Sequence, residues 1–86
     1  MPYYVYILLC HDGTFYTGYT KNLQERLRLH KDGKGARYTK SHKLKELAYS
    51  EGFECRAVAM RRERAVKKLS HKQKQNLIKT SKDVTR

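Results

Sequence analysis

The sequence predicts a small α+β domain, in which a three-stranded antiparallel sheet is flanked by helices in the order β-β-α-β-α-α. Two runs of aromatic and branched aliphatic residues near the N-terminus are separated by an Asp-Gly turn signal, which is typical of a β-hairpin. Later segments carry apolar residues at helical spacing. The chain has 86 residues, and a chain of this size can bury only about 64% of its surface. A large enzyme with its own cofactor-binding domain is therefore excluded.

The N-terminal hairpin is predicted from its two strand segments and the turn between them. Residues 3–10 form a buried strand, His11 to Thr14 form the turn, and residues 14–20 form the return strand. Gly18 interrupts the second strand, which indicates either a bulge or a close backbone approach.

The first helix has an N-cap at Thr20 or Asn22 and runs to about His30. Two glycines, Gly33 and Gly35, end this helix and open a basic loop that continues to residue 40. The loop is expected to lead into the third strand.

The second half of the chain contains one strand and two helices. The strand lies near residues 46–53, with Leu47, Tyr49 and Glu51 alternating. A helix over about 54–69 carries an apolar stripe at Cys55, Val58, Ala59, Ala65, Val66 and Leu69. Ser70 caps a last helix over 71–79, and residues 80–86 form a polar tail that we expect to be disordered.

The charge balance points to a polyanionic partner. The chain has 20 Lys and Arg against 8 Asp and Glu, a net charge of +12, which is expected of a nucleic-acid binder. A merely solvated surface and an anionic membrane surface are the alternatives. The longest apolar run, residues 5–10, is far too short to span a membrane, and no secretory leader precedes it. Cys10 and Cys55 have no paired spacing, so we expect a cytoplasmic protein without a disulfide or a zinc site.

Tyrosines on both strands of the hairpin are the first candidate functional residues. Tyr3, Tyr4 and Tyr6 lie on the first strand, and Tyr16 and Tyr19 lie on the second. Paired strands can bring such rings together on one face, although simple aromatic packing would give the same pattern.

The first helix adds polar side chains at a regular spacing. Asn22, Arg26 and His30 recur every four residues and so share a face, while Leu23 and Leu27 bury the adjacent face. Arg26 and His30 can therefore point across the sheet from the edge of the core, or they can simply be exposed.

Glu63 stands among many cations in the second helix, at the border of the apolar stripe. It can form an intrahelical ion pair with Arg56, Lys67 or a neighbouring arginine. It can also be the single carboxylate ligand of a hard divalent cation such as Mg²⁺, which takes its other ligands from water and phosphate oxygens.

Together these residues resemble the GIY-YIG nuclease superfamily. Tyr4-Val5-Tyr6 and Tyr16-Thr17-Gly18 stand at the two family motifs, and Arg26, His30 and Glu63 match its arginine, histidine and glutamate. The resemblance covers residues 3–79, to which we assign the domain, and is greatest to the small stand-alone, UPF0213-like members.

The chain departs from the motifs at three positions. Tyr4 replaces a glycine, and Val5 and Thr17 each replace an isoleucine, but both motif tyrosines associated with the chemistry, Tyr6 and Tyr16, are retained. Asn76 is a loose counterpart of an asparagine found in some members.

The resemblance implies a metal-dependent DNA endonuclease that hydrolyses phosphodiester bonds with one Mg²⁺ or Mn²⁺ held by Glu63. Tyr6 would accept a proton from the attacking water, either as a phenolate or through a relay, with its pKa depressed by the metal and by Arg26. Arg26 would also neutralise the phosphoryl charge. His30 would orient Tyr6 or shuttle its proton, and Tyr16 would position the phosphate or hold water.

The remaining lysines and arginines suggest where a nucleic acid would bind. The expected contacts are Lys34, Arg37, Tyr38, Lys40, Lys67 and Lys68, of which the tyrosine could stack on an unpaired base. The basic loop could also be an ordinary solvated turn. The expected substrate is branched or single-stranded DNA in repair or recombination, with a protein partner supplying specificity. The alternatives are a non-catalytic nucleic-acid-binding module on the same fold and an RNA- or ribosome-associated basic protein.

Overall fold

The computed structural model describes residues 2–34 and 42–84. Its strands are β1 (Tyr3–Cys10), β2 (Phe15–Thr20) and β3 (Leu44–Phe53), and its helices are α1 (Leu23–Lys31), α2 (Arg56–Lys67) and α3 (His71–Val84). All strand pairs are antiparallel, in the sheet order β2-β1-β3. The predicted fold class and element order are confirmed.

The turn between β1 and β2 is held by its own polar groups. Gly13 has a φ of 86°, in the left-handed region that glycine adopts at little cost, and its backbone N–H donates to the Cys10 carbonyl at 2.9 Å. The Thr14 hydroxyl and backbone N–H both donate to the Asp12 carboxylate. Because Thr14 belongs to this turn, β2 begins at Phe15, one residue later than predicted.

The central strand β1 is buried on both faces. Val5 and Ile7 point into the hydrophobic core, where they pack with Ala59 and Val66 of α2. Tyr6 alternates with them and points to the opposite face, toward α1. The central strand therefore carries a core on one side and the candidate site on the other.

The pairing of β3 with β1 contains irregularities that the sequence pattern did not reveal. Leu8 pairs with Leu47 and Ile7 with Tyr49, so Ala48 is an extra residue between these pairs. Leu47 and Tyr49 therefore fall on opposite faces, although we predicted that they share one. Tyr49 is buried in the core, whereas Leu47 is 37% exposed.

The two later helices differ from their predictions in extent and in burial. Of the apolar residues predicted to line one face of α2, only Ala59 and Val66 are buried, and Leu69 packs at the edge of the core. Cys55, Val58 and Ala65 are exposed, because α2 contacts the sheet along a narrow strip. Helix α3 continues to Val84, so residues 80–84 of the predicted tail are helical. No proline or glycine interrupts this stretch, so the helix can propagate through it.

Both cysteines are free thiols, with Cys10 buried and Cys55 exposed. Within residues 2–34 and 42–84, no helix has the length and apolar character needed to cross a membrane.

Candidate active site

The candidate site is built around the hydroxyl of Tyr6, a residue that is only 1% exposed. The Arg26 Nε–H donates to this hydroxyl at 3.3 Å. The Nε2 atom of His30 lies 3.2 Å from the same oxygen. One phenol oxygen is thus held by two side chains from successive turns of α1, and the four-residue spacing had predicted only that these two share a face.

Gly18 makes room for this arrangement. It pairs directly with Tyr6 across β1 and β2, and the register continues through it without a bulge. A Cβ atom at this position would lie 2.5 Å from the Tyr6 hydroxyl oxygen, which is closer than any unbonded contact allows. The close-approach interpretation of Gly18 is therefore correct.

Tyr16 completes the aromatic side of the site. Its ring centroid lies 5.4 Å from that of His30 and 6.5 Å from that of Tyr6. Of the other predicted tyrosines, Tyr3 and Tyr19 pack against the core on the opposite face of the sheet. Only part of the predicted aromatic cluster therefore meets at the site.

Asn22 shares a helix face with Arg26 and His30, but it has a different role. Its side-chain oxygen accepts a hydrogen bond from the Glu25 backbone N–H at 3.1 Å, which caps α1. The structure thus settles the choice of N-cap in favour of Asn22 over Thr20.

Burial decides the protonation state of the Tyr6 phenol. Desolvation raises its pKa above the usual value near 10, and the opposing effects of the Arg26 hydrogen bond and charge do not compensate. Arg26 does lower this pKa, as expected, but burial raises it by more. Tyr6 is a neutral phenol near pH 7.

Burial also keeps His30 neutral. Desolvation, assisted by the charge of Arg26, lowers its pKa from 6.5 to about 4. A neutral imidazole can accept a hydrogen bond at Nε2 when its proton is on Nδ1. In that tautomer the Tyr6 hydroxyl donates to His30 while its oxygen accepts the Arg26 Nε–H; with the His30 proton on Nε2, the phenol oxygen accepts from both side chains.

Glu63 approaches the cluster from α2. Its side chain is only 16% exposed, and its charge is close enough to raise the pKa of Tyr6. One carboxylate oxygen lies 3.4 Å from the Nζ of Lys67, whose side chain is 53% exposed. The ion-pair interpretation of Glu63 is thus correct, and its carboxylate also lies near the site.

The donor set around Glu63 fits one kind of metal. The described residues contain no group of three or more His, Cys, Asp or Glu side chains that could hold an ion, so a zinc-like cage is not formed there. A single hard carboxylate, paired only with a half-exposed lysine, suits Mg²⁺ or Mn²⁺, which keep several water and phosphate ligands. Glu63 is the residue that would hold such an ion.

The predicted nucleic-acid contacts have different environments. Lys34 is exposed just beyond α1, and Lys68 is exposed at the end of α2. Lys67 is bound to Glu63. Arg37, Tyr38 and Lys40 lie outside the described residues. Asn76 is exposed on α3.

One unusual residue next to the site received no role in the sequence analysis. The Thr17 hydroxyl is buried and has no hydrogen-bond partner among the described residues. Thr17 pairs with Ile7, whose side chain points into the core, so this face offers apolar surroundings. The replacement of the motif isoleucine by threonine was the available signal.

Comparison with known proteins finds a matching family profile and several similar proteins. A family profile described as the GIY-YIG catalytic domain matches residues 2–76. A UPF0213 protein of Bacillus licheniformis is 46% identical over 76 residues, which is 88% of this chain and 78% of that protein. A UPF0213 protein of Staphylococcus haemolyticus is also 46% identical, over 88% of this chain and 93% of its own length.

Solved structures have the same fold. The solution NMR structure of a UPF0213 protein from Bacillus halodurans has a TM-score of 0.60 and 42% identity. The solution NMR structure of a protein from E. faecalis has a TM-score of 0.64 and 43% identity. Each comparison covers 93% of this chain and 85% of the other.

Proposed function

The chain belongs to the GIY-YIG catalytic-domain family, and from this membership we propose that it is a divalent-metal-dependent DNA endonuclease. The observation that carries the proposal is the buried hydroxyl of Tyr6, held between Arg26 and His30. Such a cluster contributes little to the hydrophobic core, yet it fixes one oxygen atom in a single orientation. Fixing a reacting atom in place is what enzyme sites require.

In the proposed reaction, His30 orients Tyr6. The imidazole is hydrogen-bonded to the phenol oxygen and the Arg26 Nε–H donates to the same atom, so this oxygen is held in one position between them. With a pKa near 4, His30 does not hold a second proton near neutral pH. We therefore assign His30 to positioning rather than to proton shuttling, the other role that the sequence analysis allowed.

Tyr6 would act as the phenolate: it would first release its hydroxyl proton to solvent and then accept a proton from the attacking water, while Arg26 would neutralise charge that develops on the phosphoryl oxygens. Arg26 keeps its charge, because its hydrogen bond to Tyr6 raises its pKa further. Tyr16, whose ring borders both Tyr6 and His30, would position the phosphate or the water. A divalent cation on Glu63 would supply the positive charge that lowers the pKa of Tyr6 and stabilises the leaving oxygen.

The test is cleavage of single-stranded, duplex and branched DNA, and of RNA, with Mg²⁺ or Mn²⁺. We expect Tyr6→Phe and Glu63→Gln each to reduce DNA cleavage by at least about a hundredfold, which is the usual effect of losing a general base. Tyr49→Phe and Glu46→Gln are matched controls, since Tyr49 lies in the core and Glu46 on the surface. If the wild type cuts no DNA with either metal, or if both site variants cut it as fast as the control variants do, the proposal is wrong.

The non-catalytic DNA-binding module is the second candidate, because two observations favour it. Tyr6 is buried and has a raised pKa, and the Glu63 carboxylate is paired with Lys67. This candidate predicts salt-sensitive DNA binding without turnover in either metal. Tighter binding to RNA than to DNA would instead favour an RNA-associated protein.

A further inference from the structure

Helix α2 and its C-cap carry six cationic side chains, which divide into two sets. Three have partners: Arg56 with the Tyr19 hydroxyl, Arg62 with Glu51, and Lys67 with Glu63. The other three, Arg61, Arg64 and Lys68, are exposed, and no described carboxylate lies within 4 Å of them. We refer to Arg61, Arg64 and Lys68 as the α2 stripe.

The geometry of a helix places the α2 stripe on one line. At 3.6 residues per turn, its members fall within a sector of about 60°, and they span about 10 Å along the axis. Glu63 lies about 130° around the helix from the middle of this sector. Lys67 falls between Glu63 and the stripe, so a row of positive charge leads from the candidate site around α2.

The side chains of the α2 stripe form no ion pair with the described residues, and only the helix dipole, at the C-terminal end of α2, favours Arg64 and Lys68. Arg61 and Arg64 are three residues apart, and Arg64 and Lys68 are four apart, so like charges face each other and destabilise the helix. A face selected only for solubility would mix both signs of charge. Three adjacent cations without a carboxylate are therefore complementary to a polyanion.

We infer that the α2 stripe binds the phosphate backbone of the DNA that flanks the phosphate at the Tyr6 site. This inference rests on the proposed function. Phosphates of one strand are spaced at about 3.4 Å along the duplex axis, so the roughly 10 Å stripe spans about three phosphate intervals. DNA would pass over Lys67 and continue along the outer face of α2.

The experiment measures binding of labelled duplex DNA by fluorescence anisotropy in EDTA, so that cleavage does not enter. The affinity is measured across a series of salt concentrations for the wild type and for the triple variant Arg61→Gln/Arg64→Gln/Lys68→Gln. The matched control is Lys21→Gln/Lys31→Gln/Lys45→Gln, which removes three exposed positive charges from other elements. Thermal unfolding is recorded for all three proteins.

Each phosphate contact contributes about 0.9 to the slope of log affinity against log salt. We expect the stripe variant to lose about 2.7 from this slope, whereas the control loses less than about 1. The Tm of the stripe variant should stay close to that of the control, because the charge–dipole attraction that is lost and the like-charge repulsion that is relieved are of similar size.

Three results would overturn the inference: equal slopes for the stripe variant and the control, a Tm of the stripe variant well below that of the control, or no binding of DNA by the wild type at low salt. Failure of the proposed function is a different result. In that case the wild type binds DNA through the stripe, but Mg²⁺ and Mn²⁺ produce no cleavage.

Discussion

Acidification should destabilise this protein through His30, because burial favours the neutral imidazole. Its pKa is about 4 in the fold and 6.5 in an unfolded chain. A cationic group with a lowered folded pKa binds more protons in the unfolded state, so stability is lost as the pH falls from about 6.5 to about 4. Above pH 7 the effect disappears, since His30 is then neutral in both states.

The size of this effect follows from the two pKa values. A shift of one pKa unit corresponds to about 1.4 kcal/mol. Linkage gives a loss of about 2 kcal/mol between pH 7 and pH 5, and of about 3 kcal/mol by pH 4. This is a large part of the roughly 5–15 kcal/mol that stabilises a typical domain.

The assay is urea unfolding at pH 7, 6, 5 and 4, for the wild type and for His30→Gln. The glutamine can place an oxygen near the Tyr6 hydroxyl but does not titrate, so the difference between the two proteins isolates His30. Asp12 is an exposed carboxylate whose pKa is lowered to about 2, so its contribution is lost mainly below this window and appears in both proteins. If the free energies of unfolding of the two proteins fall in parallel with pH, then His30 is not held neutral by burial.

Three further predictions concern the site and its surroundings. Gly18→Ala should displace the Tyr6 hydroxyl, lowering the Tm and reducing DNA cleavage at least tenfold; unchanged cleavage would contradict the close contact. Thr17→Val should raise the free energy of unfolding by about 1 kcal/mol, because it removes a buried hydroxyl without a partner; a loss of stability in urea unfolding would show that the hydroxyl is bonded. Lys67→Met should tighten Mn²⁺ binding about two- to fivefold in calorimetry, since a half-exposed ion pair with Glu63 competes only weakly; weaker binding would refute this competition.

Features set by nearby residues could be predicted from the sequence. The β1 bounds follow from a run of aromatic and aliphatic residues, and the shared face of Arg26 and His30 follows from four-residue spacing. The bulge at Ala48 could not be predicted, because it depends on how β3 aligns with β1 rather than on its own pattern. For the same reason Leu47 was placed on the wrong face.

The direction of the pKa change at Tyr6 also could not be predicted from the sequence. The residue types identified Tyr6 and Arg26 as partners, but the sign of the pKa change depends on how completely the phenol is buried. Burial arises from three-dimensional packing, in which Gly18, Tyr16 and His30 all participate. The pairing of Glu63 with Lys67 was among the expected alternatives, since four-residue spacing favours it.

The placement of Tyr6 on the central strand has a consequence for the lifetime of the site. Its strand is paired on both sides, with β2 and with β3, so the phenol is anchored in the part of the fold that opens last. Amide hydrogens of β1 should therefore exchange only when the whole domain unfolds. The protein would keep its reactive geometry until the domain melts, and it would lose that geometry in a single step.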